Sequence, residues 1–171
     1  MITTPENSVQ YLTFALGKDT FAVDIAPIRE IIEYPGLTEI PMTPDFLRGV
    51  INLRGAVVPV IDLSVRFGRT ATHIGRRTCV VILEVMIDGG KQALGILVDG
   101  VNEVLEAEPG QIESRPEFGM GMRPDFVSGM IRLDGRFIII LDVGHVLSAQ
   151  ELIALVDQST GARGTGVARA A

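Results

Sequence analysis

The 171-residue sequence has one cysteine and no tryptophan, and aromatic residues make up only 5% of it. A single cysteine excludes an intramolecular disulfide. No apolar run approaches the ~18 residues of a membrane-spanning helix, and the polar segment 1–10 lacks the apolar core of a signal peptide. These absences predict a soluble cytoplasmic protein that does not insert into membranes. Its core should consist mainly of valine, isoleucine and leucine, of which the β-branched residues favour strands.

Clustered positive charge is also missing. The formal net charge is −6, with 15 lysines and arginines against 21 aspartates and glutamates. Proteins that bind nucleic acid need lysines and arginines to neutralise phosphates. The charge balance therefore argues against nucleic acid as a partner.

Recognisable catalytic motifs are absent as well. The only histidines, His73 and His145, have no metal-ligand partner at a familiar spacing. Neither a phosphate-binding P-loop nor a G-x-S-x-G nucleophile elbow occurs. The glutamate pairs Glu30/Glu33 and Glu103/Glu106 are typical of a solvated strand or helix face. We therefore expect a protein that is not an enzyme and needs no cofactor or metal.

What the chain does have is an internal repeat. Residues 44–63 read PDFLRGVINLRGAVVPVIDL, and residues 124–143 read PDFVSGMIRLDGRFIIILDV. Eight of the twenty positions are identical at an offset of 80 residues. The repeat extends further, because residues 103–106 (EVLE) echo residues 30–33 (EIIE). A hairpin, a strand, a turn, a second hairpin and a short helix are therefore predicted twice.

This pattern predicts a mainly β protein over residues 1–156. We expect a single domain of two barrel-like halves that share a hydrophobic core, since each half is too small to be very stable alone. A C-terminal amphipathic helix is predicted over 143–156. The polar, glycine-rich segment 157–171 is predicted to be a disordered tail.

Three local predictions can be made within the first half. Arg54 and Gly55 should form a tight hairpin connection, and Asp62 should cap a short helix that reaches Phe67. Pro59 cannot donate to a sheet ladder, which predicts an edge strand or a neighbouring bulge. Residues 26–34 are predicted to form one helical turn followed by a strand.

The two repeats differ at the hairpin tip, where Arg54 is replaced by Asp134. A structural repeat needs its proline, phenylalanine, glycine and apolar positions, but it does not need an arginine at an exposed turn. Arg54 could therefore anchor an acidic partner through its planar set of donors. It could equally be a solvated turn residue, or it could pair with a glutamate of this chain.

Several motifs resemble those of the CheW family of bacterial chemotaxis coupling proteins. They are IREII, IPMTPDFLRG, GVINLRGAVVPVIDL and LGILVDGVNEVLEAEPGQIESRPEF, in that order along the chain. The resemblance covers residues 11–155. It implies two five-stranded, SH3-like β-barrels around a common core. It also implies a non-catalytic adaptor that couples methyl-accepting chemoreceptors to the regulatory domain of the histidine kinase CheA and is recruited to membrane-associated receptor arrays.

The resemblance carries residue roles at matching positions only. Arg54, Glu30 and Ile28 match the receptor-binding site, and Gly49 matches a glycine associated with kinase binding. Two alternatives stay open: an adaptor of a specialised chemosensory array, such as one for twitching motility, and a double β-barrel that binds a small ligand. A small ligand would require a sizeable internal cavity.

Overall fold

The structure, a computed structural model, describes residues 8–87, 89–114 and 123–147. These ranges contain eleven strands, two four-residue helices and two short 3-10 turns. The strands are β1 Val9–Leu16, β2 Asp19–Asp24, β3 Ile28–Glu33, β4 Leu47–Leu53, β5 Ala56–Asp62, β6 Cys79–Ile87, β7 Gly90–Val98, β8 Gly100–Ala107, β9 Ile112–Glu113, β10 Val127–Leu133 and β11 Arg136–Leu141. The helices are α1 Leu63–Arg66 and α2 Val143–Val146.

The strands form two sheets, which confirms the predicted all-β class. Sheet I has the order β8-β1-β2-β11-β10-β9, and sheet II has the order β3-β6-β7-β5-β4. One extra short strand, β9, makes sheet I six-stranded. In sheet II the equivalent contact is an isolated bridge between Thr38 and Val50.

The repeat suggested that each half of the sequence forms its own barrel. The two sheets do not correspond to the two halves in this way. Sheet I combines the first hairpin, β1–β2, with β8 to β11, whereas sheet II combines the hairpin β6–β7 with β3 to β5. Each exchanged hairpin is joined by a parallel pairing, β2 with β11 and β5 with β7. Neither half of the chain could therefore complete its barrel alone.

A shared core lies between the sheets. Its buried side chains come from both sheets and both helices, and they include Phe14, Phe21, Phe67 and Phe126. Neighbouring rings in this series have centroids 5.4–6.1 Å apart, a spacing that aromatic pairs favour. The guanidinium of Arg66 lies over the rings of both Phe46 and Phe126, so one cation links the two repeats.

The hairpin tips and helix caps repeat closely. Arg54 and Asp134 both have φ of 51°, and each precedes a glycine with positive φ, which is the geometry of a type I′ hairpin turn. Asp62 caps α1 by accepting from the amide of Ser64, and Asp142 caps α2 by accepting from the amide of His145. The predicted hairpin and cap are therefore confirmed.

Two local predictions need correction. Strand β5, which contains Pro59, is not an edge strand, because it lies between β7 and β4. Pro59 is tolerated because β5 pairs with β7 only from Val60 onward. The alternative of a nearby bulge is confirmed by a register shift in β4 opposite Val60 and Ile61. Residues 26–27 form a turn rather than a helical turn, and β3 follows directly.

The predicted C-terminal helix is confirmed only at its start. Helix α2 begins at the predicted residue, Val143, but it ends at Val146, because Leu147 has left the helical conformation (φ −109°, ψ 58°). Residues 148–171, which hold the rest of the predicted helix and the tail, lie outside the described residues.

Candidate functional site: the Arg54–Glu30 hairpin surface

The tip of the β4–β5 hairpin presents Arg54 to solvent. Its backbone is left-handed, a conformation that most L-residues avoid. The turn is held by the side chain of Asn52, whose Oδ1 accepts from the amide of Gly55 at 2.9 Å. The Arg54 side chain is 71% exposed. A rigid turn therefore carries an accessible guanidinium.

Glu30 lies opposite Arg54, on β3 at the other edge of sheet II. The sheet curls so far that the Thr38–Val50 bridge joins the segment after β3 to β4. A register shift between Ile28 and Glu30 changes the direction of side chains along β3. Together these features bring two residues that are 24 positions apart into contact.

The contact is a two-pronged ion pair. Arg54 donates from Nη1 to Oε2 of Glu30 at 2.7 Å and from Nη2 to Oε1 at 2.8 Å. Planar guanidinium and carboxylate groups favour this bidentate geometry. Of the interpretations left open for Arg54, pairing with a glutamate of this chain is therefore observed. The exposure of the guanidinium still leaves one of its faces accessible to a partner.

The electrostatics of the pair are reciprocal. The hydrogen bonds from Arg54 lower the pKa of the Glu30 carboxyl, and the charges of Arg54 and Arg29 act in the same direction. The same hydrogen bonds raise the pKa of Arg54. Both groups are therefore charged at neutral pH. Because exposed ion pairs contribute little to stability, the main effect of this pair is to fix the orientation of the guanidinium.

Ile28 is half-buried and lies two residues before Glu30, on β3. It pairs with Leu83 in β6 and packs against the shared core. The more accessible apolar neighbours are Ile31, which is 42% exposed, and Val57, which is 50% exposed. Sequence analysis did not identify Ile31 or Val57 as site residues. Ile31 could have been found, because it lies at one of the alternate positions of β3 that face solvent.

Gly49 has a structural role that its sequence motif did not reveal. It is buried in β4. A Cβ atom at this position would lie 2.7 Å from the carbonyl oxygen of Thr38 and 2.9 Å from Cβ of Leu37. Gly129, its counterpart in the second repeat, is approached equally closely by Ile112. Each glycine therefore lets a crossing segment lie directly on the sheet.

The buried network around Asp62, which the sequence identified only as a helix cap, was also missed. Asp62 is completely buried. It accepts from Arg48 at 2.7 Å, from the Thr72 hydroxyl at 2.7 Å and from the amides of Thr72 and Ser64. This network fastens the loop 68–77 to β4. The second repeat has Ser128 where the first has Arg48, and its Asp142 is partly exposed and contacts Nδ1 of His145 at 2.8 Å.

The small-ligand alternative required an internal cavity. At the junction between the sheets, the apolar space lined by Val23, Leu63 and Leu83 measures only about 10 Å³, room for one water at most. The shared core is therefore filled by its own side chains.

Comparison with known proteins decides the family. The family model for the CheW-like domain matches residues 10–151. This chain belongs to the CheW-like family. The chemotaxis protein CheW of Klebsiella aerogenes is 38% identical over 148 residues, which cover 86% of each chain. The chemotaxis protein CheW of Rhizobium meliloti is 30% identical over 142 residues, which cover 83% of this chain and 89% of that protein.

A solved CheW structure supports the fold. The scaffolding protein TtCheW from Thermoanaerobacter tengcongensis superposes with a TM-score of 0.72 at 33% identity, covering 82% of this chain and 92% of that one. The two SH3-like barrels expected from the motif resemblance are thus the CheW fold. Among the described residues, no helix has both the length and the apolar character to cross a membrane.

Proposed function

We propose that this CheW-like chain is a non-catalytic adaptor that couples methyl-accepting chemoreceptors to a CheA-type histidine kinase. The observation that carries the proposal is the Arg54–Glu30 pair, a charged group held rigidly by two hydrogen bonds on an exposed hairpin. Family membership supplies the context in which this surface acts. The proposal places the protein in the cytoplasm, recruited to membrane-associated receptor arrays.

The receptor contact would use the hairpin surface. A helical receptor tip lays apolar residues against Ile28 and the exposed side chains beside it, which is the common way in which an amphipathic helix binds a groove. The free face of Arg54 meets an acidic group on that helix. Glu30 keeps the guanidinium in position before binding, so less side-chain entropy is lost on association.

The kinase contact would depend on Gly49 indirectly. A buried glycine offers little surface to a partner, but it sets where Leu37 and Thr38 cross the sheet. We therefore place the kinase regulatory domain on the surface formed by this crossing segment. In this arrangement a side chain at position 49 would disturb kinase binding by displacing the segment.

Co-sedimentation tests the proposal most directly. Receptor-containing membranes are mixed with this protein and a CheA-type kinase, and ATP turnover is followed in parallel. The adaptor function predicts that the protein brings the kinase down with the membranes and raises receptor-dependent phosphorylation. The matched control omits only this protein. If neither sedimentation nor phosphorylation depends on the protein, the proposed function is wrong.

A further inference from the structure

A groove lies at the open end of the barrel formed by sheet I, and it is separate from the Arg54–Glu30 site. Its volume is about 550 Å³, which is within the range of ligand-binding clefts in proteins. One wall contains Thr13, Glu103 and Leu105, and the other contains Leu133, Arg136 and Phe137. None of these residues belongs to the Arg54–Glu30 site.

Because of the internal repeat, the residues around this groove can be compared with the residues at the equivalent positions of sheet II. The β10–β11 hairpin is the counterpart of β4–β5, so Asp134 stands where Arg54 stands and has the same φ. Strand β8 is the counterpart of β3, so Glu103 stands where Glu30 stands. In sheet II, arginine and glutamate close the mouth of the barrel. In sheet I, the same two positions hold carboxylates, which cannot pair with each other.

The residue at the base of the groove also differs from its equivalent in sheet II, and it is again the one that leaves more space. Ile82 pairs with Gly95, and Thr13 pairs with Ala22, and these pairs occupy equivalent places in the two sheets. Ile82 is buried and fills the interior of sheet II. Thr13 lacks the terminal methyl group of isoleucine, and its hydroxyl is engaged by the backbone of Glu103. The open end of the sheet I barrel therefore lacks both the buried isoleucine and the arginine that occupy the equivalent positions in sheet II.

From this comparison we infer that the groove binds a polypeptide segment in which an arginine lies beside a branched aliphatic residue. The arginine takes the place that Arg54 has in sheet II and meets Glu103. The aliphatic side chain enters the space above Thr13 and contacts Leu105 and the half-exposed Phe137. This site is independent of the proposed receptor contact.

The rim of the groove adds a further preference. Lys18 and Arg136 are exposed and line the groove. Neither makes an ion pair with another residue in the described part of the chain. The acidic residue on the rim, Asp19, is already paired with Arg69 at 2.8 Å. An acidic residue next to the arginine of the segment would complement these two cations.

A capped tetrapeptide of valine, glutamate, arginine and valine, in that order, titrated into the ¹⁵N-labelled full chain, tests the inference by NMR. We expect shifts of the amides of Thr13, Glu103, Leu105 and Phe137. The variant Asp134→Arg should bind at least about tenfold more weakly, because Arg54 shows that this backbone accepts an arginine that caps the opposing glutamate. Asp134→Asn, which tolerates the left-handed backbone but supplies no cation, should bind within about threefold of the wild type.

The inference is overturned by the absence of any shift in the groove, by equal binding by Asp134→Arg, or by equal binding of a peptide with alanine in place of arginine. The peptide comparison uses the wild-type chain and so remains decisive if a variant fails to fold. If the groove amides instead shift with protein concentration alone, and Asp134→Arg suppresses that shift, the occupant is a second copy of this chain and the proposed segment is wrong.

Discussion

Arg54 and Glu30 form a bidentate ion pair across the two edges of sheet II, with N–O distances of 2.7 and 2.8 Å. The pair exists because one residue lies at a hairpin tip and the other beside a register shift, and because the sheet curls until these places meet. Its value lies in orientation rather than stability, since the Arg54 side chain is mostly exposed. The same fold without this pair, in sheet I, leaves an open groove.

Replacing Arg54 with alanine should weaken receptor binding and leave folding intact. The loss of an interface anchor costs about 1–3 kcal/mol, or roughly tenfold to hundredfold in affinity. Receptor co-sedimentation over a range of protein concentrations measures the change. Arg132→Ala is the matched control, because Arg132 is an exposed arginine in an ion pair with Glu113 on the other sheet. If both variants bind alike, Arg54 is not the anchor.

The ion pair also makes a pH prediction. Hydrogen bonds from Arg54 lower the folded-state pKa of Glu30 below its ordinary value of 4.5. Any stability from the pair is therefore present above pH 4.5 and is lost as the pH falls through the folded-state pKa. In Arg54→Ala, the Glu30 carboxyl should titrate at a higher pH than in the wild type, as followed by carboxyl-carbon NMR.

Asp125 provides an internal control for this titration. Its pKa is lowered by hydrogen bonds from Arg123, which Arg54→Ala leaves in place. The titration of Asp125 should therefore be unchanged in the variant. An unchanged titration of Glu30 would show that the two hydrogen bonds do not persist in solution.

The two repeated phenylalanines should differ in their contribution to stability. Phe126 is 1% exposed in the shared core, so Phe126→Ala should lower the free energy of unfolding by about 3–5 kcal/mol. Phe46, its counterpart, is half-buried and packs only at the edge of that core, so Phe46→Ala should cost less. Phe137→Ala, at a position that is 47% exposed, should cost about 1 kcal/mol or less. Chemical denaturation measures all three, and equal losses would contradict the burial.

Much of the local structure could be predicted because it depends on short-range chemistry. The Arg54–Gly55 turn needs a left-handed glycine, and the cap at Asp62 needs an acceptor before a helix. The exchange of hairpins between the halves could not be predicted in this way. It depends on which strand edges pair, and the parallel contacts of β2 with β11 and β5 with β7 have no local sequence signal.

The same limit applies to the site. Arg54 could be selected because the repeat makes its replacement by Asp134 visible. Its partner stayed open, since a contact across 24 residues depends on how the sheet curls. The packing role of Gly49 and the buried Asp62–Arg48 contact were missed for a related reason. The first depends on the Leu37–Thr38 segment that crosses β4, and the second on the neighbouring strand β5 and on Thr72 from a later loop. The residue pattern within β4 indicates neither of them.

Gly49→Ala separates packing from partner contact. The added Cβ would lie 2.7 Å from the Thr38 carbonyl oxygen, which belongs to the backbone and must move. Overpacking of this kind costs about 1–3 kcal/mol, and we expect a lower unfolding temperature together with weaker kinase binding. Gly75→Ala is the control, because nothing lies within 4 Å of a Cβ at that position. It should leave both the unfolding temperature and kinase binding unchanged.

The two readouts distinguish the mechanisms. If Gly49→Ala weakens kinase binding while the unfolding temperature stays at the wild-type value, the glycine would act at a direct contact, and the displaced Leu37–Thr38 segment would not be the cause. If the unfolding temperature falls while kinase binding is retained, the crossing segment does not form the kinase surface. Only a joint loss, absent in Gly75→Ala, fits a buried glycine that positions a neighbouring segment for its partner.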